Sequence, residues 1–330
     1  MVNVTLLIDT FCATNCKYCE LPNRAKNVAT YGYERLDNLM ALEQPKIITV
    51  YAGDTFYNHD NIRKAYAYAC SVPSVTRIQS VSEIQKLEKD FDIRLEMINL
   101  CRKHNKTAGV EFSLDLAGTK SGNHVEVINR FAKAANLGML NFSCVLTIEQ
   151  IMSDNIVDTI HEYIETYKSL DIIGMLRVVL DYNAATTKDY SYAEIAERAE
   201  GVHNAFYDSL VHPVNKGMLP SVVSKASCMI KSEGTLVKYD GMLSTCGKVR
   251  PEFDITPVSA LDITPEDYAK FVKSKTEFKS VAIHEACATC EAKPICNACP
   301  KFIHSNKSFD GNSDACMFYR ALHNISKMYL

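Results

Sequence analysis

The sequence predicts an α/β protein: a full or partial barrel of parallel strands with helical crossovers, followed by a small cysteine-rich C-terminal module. Two observations carry this. Short apolar runs alternate with longer helix-periodic stretches from residue 1 to about 210, and seven of the thirteen cysteines crowd between Cys228 and Cys316.

The strand-like runs are residues 4–8, 46–51, 75–81, 109–116, 140–146 and 173–180. Between them lie helical stretches at 61–69, 93–103, 125–135 and 155–169, where Ile156, Ile160, Ile164 and Tyr167 share one face. Six strands alternating with helices imply a parallel sheet, and continuous apolar runs suit strands buried on both faces. In a barrel the active site would sit at the C-terminal strand ends. Periodicity is equally compatible with a doubly wound open sheet.

Helical character continues through residues 192–210, after which His212-Pro213 and Leu219-Pro220 punctuate the chain. We therefore divide it into residues 1–212, a linker at 213–226, and a module at 227–330. In that module Glu233–Lys238, Tyr239-Asp240-Gly241 and Met242–Cys246 read as a hairpin, with Asp-Gly supplying positive-φ turn positions. It has little apolar core of its own, and small modules of that kind need metal staples.

Composition excludes several classes. A chain that is 47% hydrophobic and 23% charged, with net charge −3, is globular and gives no reason to expect nucleic acid or a membrane surface as partner. Lys231, Lys238, Lys248 and Arg250 read as a solvated face. No apolar run approaches the ~20 residues that span a bilayer, and the first residues lack a charged n-region. These features predict a cytoplasmic protein, where thiols stay reduced. Thirteen cysteines there point to metal ligation, except Cys70, Cys101 and Cys144, which read as small core hydrophobes.

Cys12, Cys16 and Cys19 have the spacing C-x3-C-x2-C directly after the first strand. Three thiolates on one loop can hold three irons of a cubane cluster, leaving one iron open for a cofactor or substrate. A structural zinc site is the alternative, but this spacing leaves zinc one ligand short.

With Tyr18 before the third cysteine, this segment resembles the radical SAM superfamily. Tyr51-Ala52-Gly53-Asp54-Thr55 is similar to the family's Gly-Gly-Glu-like motif after the second strand, with Ala for one Gly and Asp for Glu. Phe112-Ser113-Leu114-Asp115 is similar to the Ser-x-Asp of several members. The resemblance implies a partial (β/α)6 TIM-like barrel that holds a [4Fe-4S] cluster with S-adenosylmethionine (SAM) at Tyr18, Ala52, Gly53, Asp54, Ser113 and Asp115. It also implies reductive cleavage of SAM to a 5′-deoxyadenosyl radical that abstracts a substrate hydrogen, fed by an electron donor such as flavodoxin or ferredoxin.

Downstream, Cys228-x12-Gly241-x4-Cys246 and Cys287-x2-Cys290-x5-Cys296-x2-Cys299, then Cys316, resemble the SPASM module. That resemblance implies two auxiliary iron–sulfur clusters. Cys287, Cys290, Cys296 and Cys316 would form the outer one. Cys228, Cys246 and Cys299 would form the inner one, with an open iron, lower nuclearity or a ligand such as Glu233. The chain has one residue fewer than the family between Cys296 and Cys299, and Cys287/Cys290 with Cys296/Cys299 also suits zinc.

SPASM relatives mostly oxidise or crosslink peptide and protein side chains. The resemblance therefore implies a radical SAM oxidoreductase with a peptide or protein substrate. Gly247, where sulfatase-maturing relatives carry an acidic base, argues against that activity, and a start at the first strand leaves no room for an N-terminal peptide-binding domain. The alternatives are a small-molecule radical SAM dehydrogenase and a non-catalytic iron–sulfur or zinc protein. Glu111 and Asp115 stand near strand ends as candidate bases, whereas His124 and His284 read as cap or surface residues.

Overall fold

The computed structural model describes residues 2–12, 27–114, 123–137, 139–167, 170, 173–181, 190–210, 234–244, 257–281, 285–292, 316, 320, 323 and 324. Strand β1 (Asn3–Asp9) is followed by a 3-10 turn, Tyr33–Leu36, and α1 (Asp37–Glu43). Then come β2 (Ile47–Ala52), α2 (His59–Ser71), β3 (Arg77–Glu83), α3 (Phe91–Lys103), β4 (Thr107–Leu114) and α4 (Val125–Ala134). Strand β5 (Met139–Thr147), α5 (Ile148–Ile151), α6 (Ile156–Tyr167), β6 (Ile173–Asp181) and α7 (Tyr192–Leu210) complete the alternation. After it stand β7 (Thr235–Val237), β8 (Leu243–Ser244), α8 (Pro265–Val281) and the single turn α9 (Glu285–Ala288).

All six strand-like runs of the first 180 residues form strands. They hydrogen-bond in the order β6-β5-β4-β3-β2-β1-β7-β8. β1 pairs parallel with β2, β2 with β3, and β5 with β6. Sequential parallel strands with helical crossovers are the topology of the partial (β/α)6 barrel, and a doubly wound sheet, whose strand order reverses, is excluded.

The chain divides into two compact units. The first comprises Met1–Asn15, Cys19–Glu111 and Cys228–Val281; the second comprises Cys16–Tyr18, Phe112–Ser227 and Ala282–Leu330. In the first, Leu6, Ile8, Ile48, Val50 and Ile78 pack with Ile62, Ala65 and Ala69 of α2 in one apolar core. In the second, Phe112 meets Phe131 and Phe142 at ring-centroid distances of 6.2 and 6.1 Å. Tyr163 and Tyr167 of α6 pack ring to ring at 4.6 Å. A capping box opens α7: the Ser191 amide donates to Glu194 Oε2 at 2.8 Å, and the Glu194 amide to Ser191 Oγ at 3.3 Å.

Residues 234–281 complete the first unit. β7 pairs parallel with β1, covering an edge that would otherwise be open, and β8 returns antiparallel to it. Val237, Leu243, Ala260 and Phe271 enter the same core as β1 and β2. The hairpin expected from Asp240-Gly241 is present, with one correction. Only Gly241 has positive φ (78°), so Lys238–Gly241 is an ordinary turn closed by a left-handed glycine rather than a two-residue loop. A Cβ there would also meet Leu261. Helix α8 is absent from the sequence reading, although its start is signalled. Thr264 Oγ1 accepts the Asp267 amide at 3.2 Å, and Pro265 occupies the first helical position, where its missing N–H costs nothing. The linker expected at 213–226 lies outside the described residues.

Candidate active site

The carboxyl ends of β1, β2 and β3 gather three buried carboxyl groups, Asp9, Asp54 and Glu83. Asp9 is the last residue of β1. Its Oδ1 accepts the Phe11 amide at 3.0 Å, an Asx-type turn that bends the chain out of the strand and into the cysteine loop. Its Oδ2 is fully buried and has no hydrogen-bond partner among the described residues. Burial pushes the Asp9 carboxyl up to about 7; the Phe11 amide opposes this, and the nearby charge of Asp54 adds to it.

The half-buried thiol of Cys12 follows. Its Sγ donates to Glu83 Oε1 at 3.2 Å, and Glu83 Oε2 accepts from Lys86 Nζ, also at 3.2 Å. Lys86 Nζ closes on Asp54 Oδ2 as well. A continuous polar chain thus runs from the first predicted cluster ligand, through Glu83 and Lys86, to the motif after β2. Burial works to lower the Lys86 ammonium, but hydrogen bonding and charge from Asp54, and then Glu83, hold it above its ordinary value.

Backbone laces the same segments together. The Gly53 amide donates to Asp9 O at 3.2 Å, and the Asp54 amide to Phe11 O at 2.6 Å. A Cβ on Gly53 would collide with the Phe11 carbonyl and come within 2.7 Å of Thr10 O, so only glycine allows this approach. Thr55 Oγ1 donates to Val81 O at 2.7 Å. Arg94, buried on α3, lays its guanidinium 4.2 Å from the Phe56 ring centroid and hydrogen-bonds Ser82 and Asp90. Burial lowers its pKa to about 10, which leaves it cationic at neutral pH. The segment after β2 is therefore held by backbone, ion pair and ring stacking at once.

The structure brings together Cys12, Ala52, Gly53 and Asp54 of the sequence-predicted site. Ser113 is half-buried on β4, in the second unit; Glu111 is half-buried on the same strand, and His124 stands at the N-cap of α4, as expected. Tyr18, Cys16, Cys19, Asp115, Cys228, Glu233, Cys246, Gly247, His284, Cys296 and Cys299 lie outside the described residues.

Of the C-terminal cysteines, Cys287, Cys290 and Cys316 are described, each half-buried. The Cys290 amide donates to Cys287 O at 3.4 Å across a tight turn. The Arg320 guanidinium hydrogen-bonds Cys290; with the charges of Cys290, Cys316 and Glu291, this holds Arg320 above its ordinary pKa against burial. Among the described residues, no three His, Cys, Asp or Glu side chains converge as a metal site. Cys70 and Cys101 are buried core residues, as expected, and their thiols hydrogen-bond to each other.

Sequence reasoning missed Asp9, Glu83, Lys86 and Arg94. Asp9 had a signal, a charged residue ending an apolar strand just before the cysteines. Glu83 and Lys86 had only their i,i+3 spacing, which a solvated face shares.

No protein-family model matches the sequence, and no curated protein does either. Solved structures do match it, among them two that share its fold over most of its length. AdoMet-bound anSMEcpe superposes with a TM-score of 0.63 at 14% identity, covering 100% of this chain and 98% of that one. Streptococcus suis SuiB, bound to its precursor peptide SuiA, gives a TM-score of 0.58 at 14% identity over 93% of this chain and 73% of that one. These neighbours bear out the α/β partial-barrel class. Among the described residues, no helix is long and apolar enough to cross a membrane.

Proposed function

We propose that the protein is a radical SAM oxidoreductase that oxidises or crosslinks a peptide side chain with the help of two auxiliary iron–sulfur clusters. The observation that carries the reading is the meeting of Cys12 with Gly53 and Asp54 at the strand ends of a fold shared with AdoMet-bound anSMEcpe. The peptide bound in SuiB supports a peptide substrate.

The residues suit the group. SAM carries an ammonium, a sulfonium and one carboxylate, a net cation, and among the described residues four buried carboxyl groups, Asp9, Asp54, Glu83 and Asp90, stand here against the Lys86 ammonium and the Arg94 guanidinium. Asp9 Oδ2 is a buried acceptor with no partner among the described residues. Cys12, with Cys16 and Cys19, would hold the cluster; when bound, cluster and SAM supply the radical that removes a substrate hydrogen. The protein's own part is positional. The Asp9 turn directs the cysteine loop, Gly53 lets the backbone after β2 approach it, and Arg94 stacked on Phe56 fixes that segment. The C-terminal cysteines would hold the auxiliary clusters, suited to take the second electron of a net oxidation, and flavodoxin or ferredoxin would supply the first.

The test is anaerobic loading with iron and sulfide, then SAM and a strong reductant. We expect 5′-deoxyadenosine from the wild type and none from Cys16→Ala. An iron-loaded wild type that forms none overturns the reading.

A further inference from the structure

We infer that Lys86, and not SAM, is the partner of the Asp54 carboxylate, and that the Asp54–Lys86–Glu83 bridge is the positioning device that fixes the SAM-binding backbone against the cysteine loop. This rests on the radical SAM reading and assigns a new residue to that site.

Three observations carry it. First, Asp54 is spoken for: its side chain is 5% exposed, and its Oδ2 closes on Lys86 Nζ. A carboxylate in that position has one fewer lone pair and less net charge to offer a ligand ammonium. Second, Lys86 is shared. It also meets Glu83 Oε2 at 3.2 Å, so one cation spans the segment after β2 and the end of β3, and in the metal-free chain Glu83 Oε1 also takes the thiol proton of Cys12, on the loop after β1, at 3.2 Å. Third, the backbone next to Asp54 is already aimed by bonds that do not use its side chain, namely the Gly53 and Asp54 amides to Asp9 O and Phe11 O. The side chain is free to serve as an anchor, while the backbone and the unpartnered Asp9 Oδ2 remain as acceptors.

The two roles for Asp54 make opposite demands on Lys86. If Asp54 accepts the SAM ammonium directly, Lys86 is a competitor, and its removal leaves SAM binding unchanged or tighter. If the bridge positions the site, removing Lys86 strands two buried carboxylates, and the site loosens.

The experiment measures equilibrium SAM binding to iron-loaded protein and, separately, chemical denaturation of the unloaded chain. Lys86→Gln and Lys86→Met are made in parallel, with Lys86→Arg as the charge-retaining control. We expect the uncharged variants to bind SAM about 10- to 100-fold more weakly, as losses of supporting partners around such sites do, and Lys86→Arg to stay within about 3-fold of wild type. In the unloaded chain Asp54→Asn and Lys86→Gln should be non-additive, because they break one interaction. SAM binding by Lys86→Gln that is unchanged or tighter overturns the inference and leaves the enzyme reading standing. Uncharged variants that only unfold make the bridge a structural element and overturn it too. A wild type that binds no SAM overturns both.

Discussion

Two sets of cysteines in this chain sit in opposite electrostatic surroundings. Cys12 lies against the Glu83 carboxylate, at strand ends where Asp9 and Asp54 are also buried. Cys290, with Cys316 nearby, lies against the Arg320 guanidinium. A thiol beside a carboxylate and a thiol beside a guanidinium do not serve the same kind of site. A centre that must admit a cationic cofactor gains from surplus acceptors, whereas a closed centre with several thiolates carries excess negative charge and gains from a fixed cation. The contrast fits an open, SAM-binding cluster at the first and a closed auxiliary cluster at the second.

The sharpest way to break this contrast is to remove one thiol from each set. Cys12→Ala should abolish 5′-deoxyadenosine formation, by at least about a thousandfold, since chemistry that the cofactor carries does not survive its loss. Cys290→Ala should keep SAM cleavage, lose product formed from substrate, and give up roughly one cluster's worth of iron. Iron analysis and product quantification on the same preparations decide this. If Cys290→Ala also loses SAM cleavage while its far-UV spectrum is unchanged, the two sets do not have separate roles.

Gly53→Ala probes the acidic region without changing any charge. The added methyl meets the Phe11 and Thr10 carbonyls, which are backbone and cannot move aside cheaply. Overpacking of that kind costs about 1–3 kcal/mol, so SAM affinity should fall roughly 10- to 100-fold, read by equilibrium binding. Arg320→Gln probes the other region and should be milder. Loss of the guanidinium should speed iron release to a chelator by about tenfold, with SAM cleavage untouched.

The fold was more legible than the site. β1 and β2 show as nearly continuous apolar runs because parallel strands are buried on both faces, and a local pattern reports that, whereas β3, with polar residues at alternate positions, is a weaker run. Cys12 stands out by its spacing with Cys16 and Cys19, whereas Gly53 and Asp54 stand out only through the resemblance to the radical SAM motif. Glu83 and Lys86 were not legible, since their meaning comes from residues 71 positions away for Glu83 and 32 for Lys86. Within Glu83-Ile84-Gln85-Lys86-Leu87-Glu88-Lys89 nothing separates a buried bridge from a solvated face. Beyond its hairpin, the chain after residue 225 reads as Cys-rich and loop-rich, yet Thr264-Pro265-Glu266-Asp267 is a helix start. The pairing of β7 with β1 spans over 200 residues and leaves no local trace.

At Asp9 the acidic region can be titrated, an effect on stability rather than on turnover. Its folded carboxyl is raised to about 7 from 3.8, chiefly by burial. Between those values the unfolded chain has released the proton while the folded chain retains it. The unfolded state therefore binds fewer protons, and stability falls as pH rises. The loss attributable to Asp9 should begin above pH 3.8, be complete just above about 7, and leave the curve flat beyond. For one group a difference of that size corresponds to at most about 4 kcal/mol, reduced where water screens the carboxyl. Asp9→Asn keeps an acceptor for the Phe11 amide but cannot ionise, so it should gain stability relative to wild type as pH rises through that window. Chemical denaturation of the iron-free protein at pH 5, 6, 7 and 8 reads the difference directly. A wild type and an Asp9→Asn variant whose stabilities run parallel across that range would mean that Asp9 titrates normally. The acidic region would then carry an ionised Asp9 at neutral pH, one more negative charge, and its contrast with the surroundings of Arg320 would be larger.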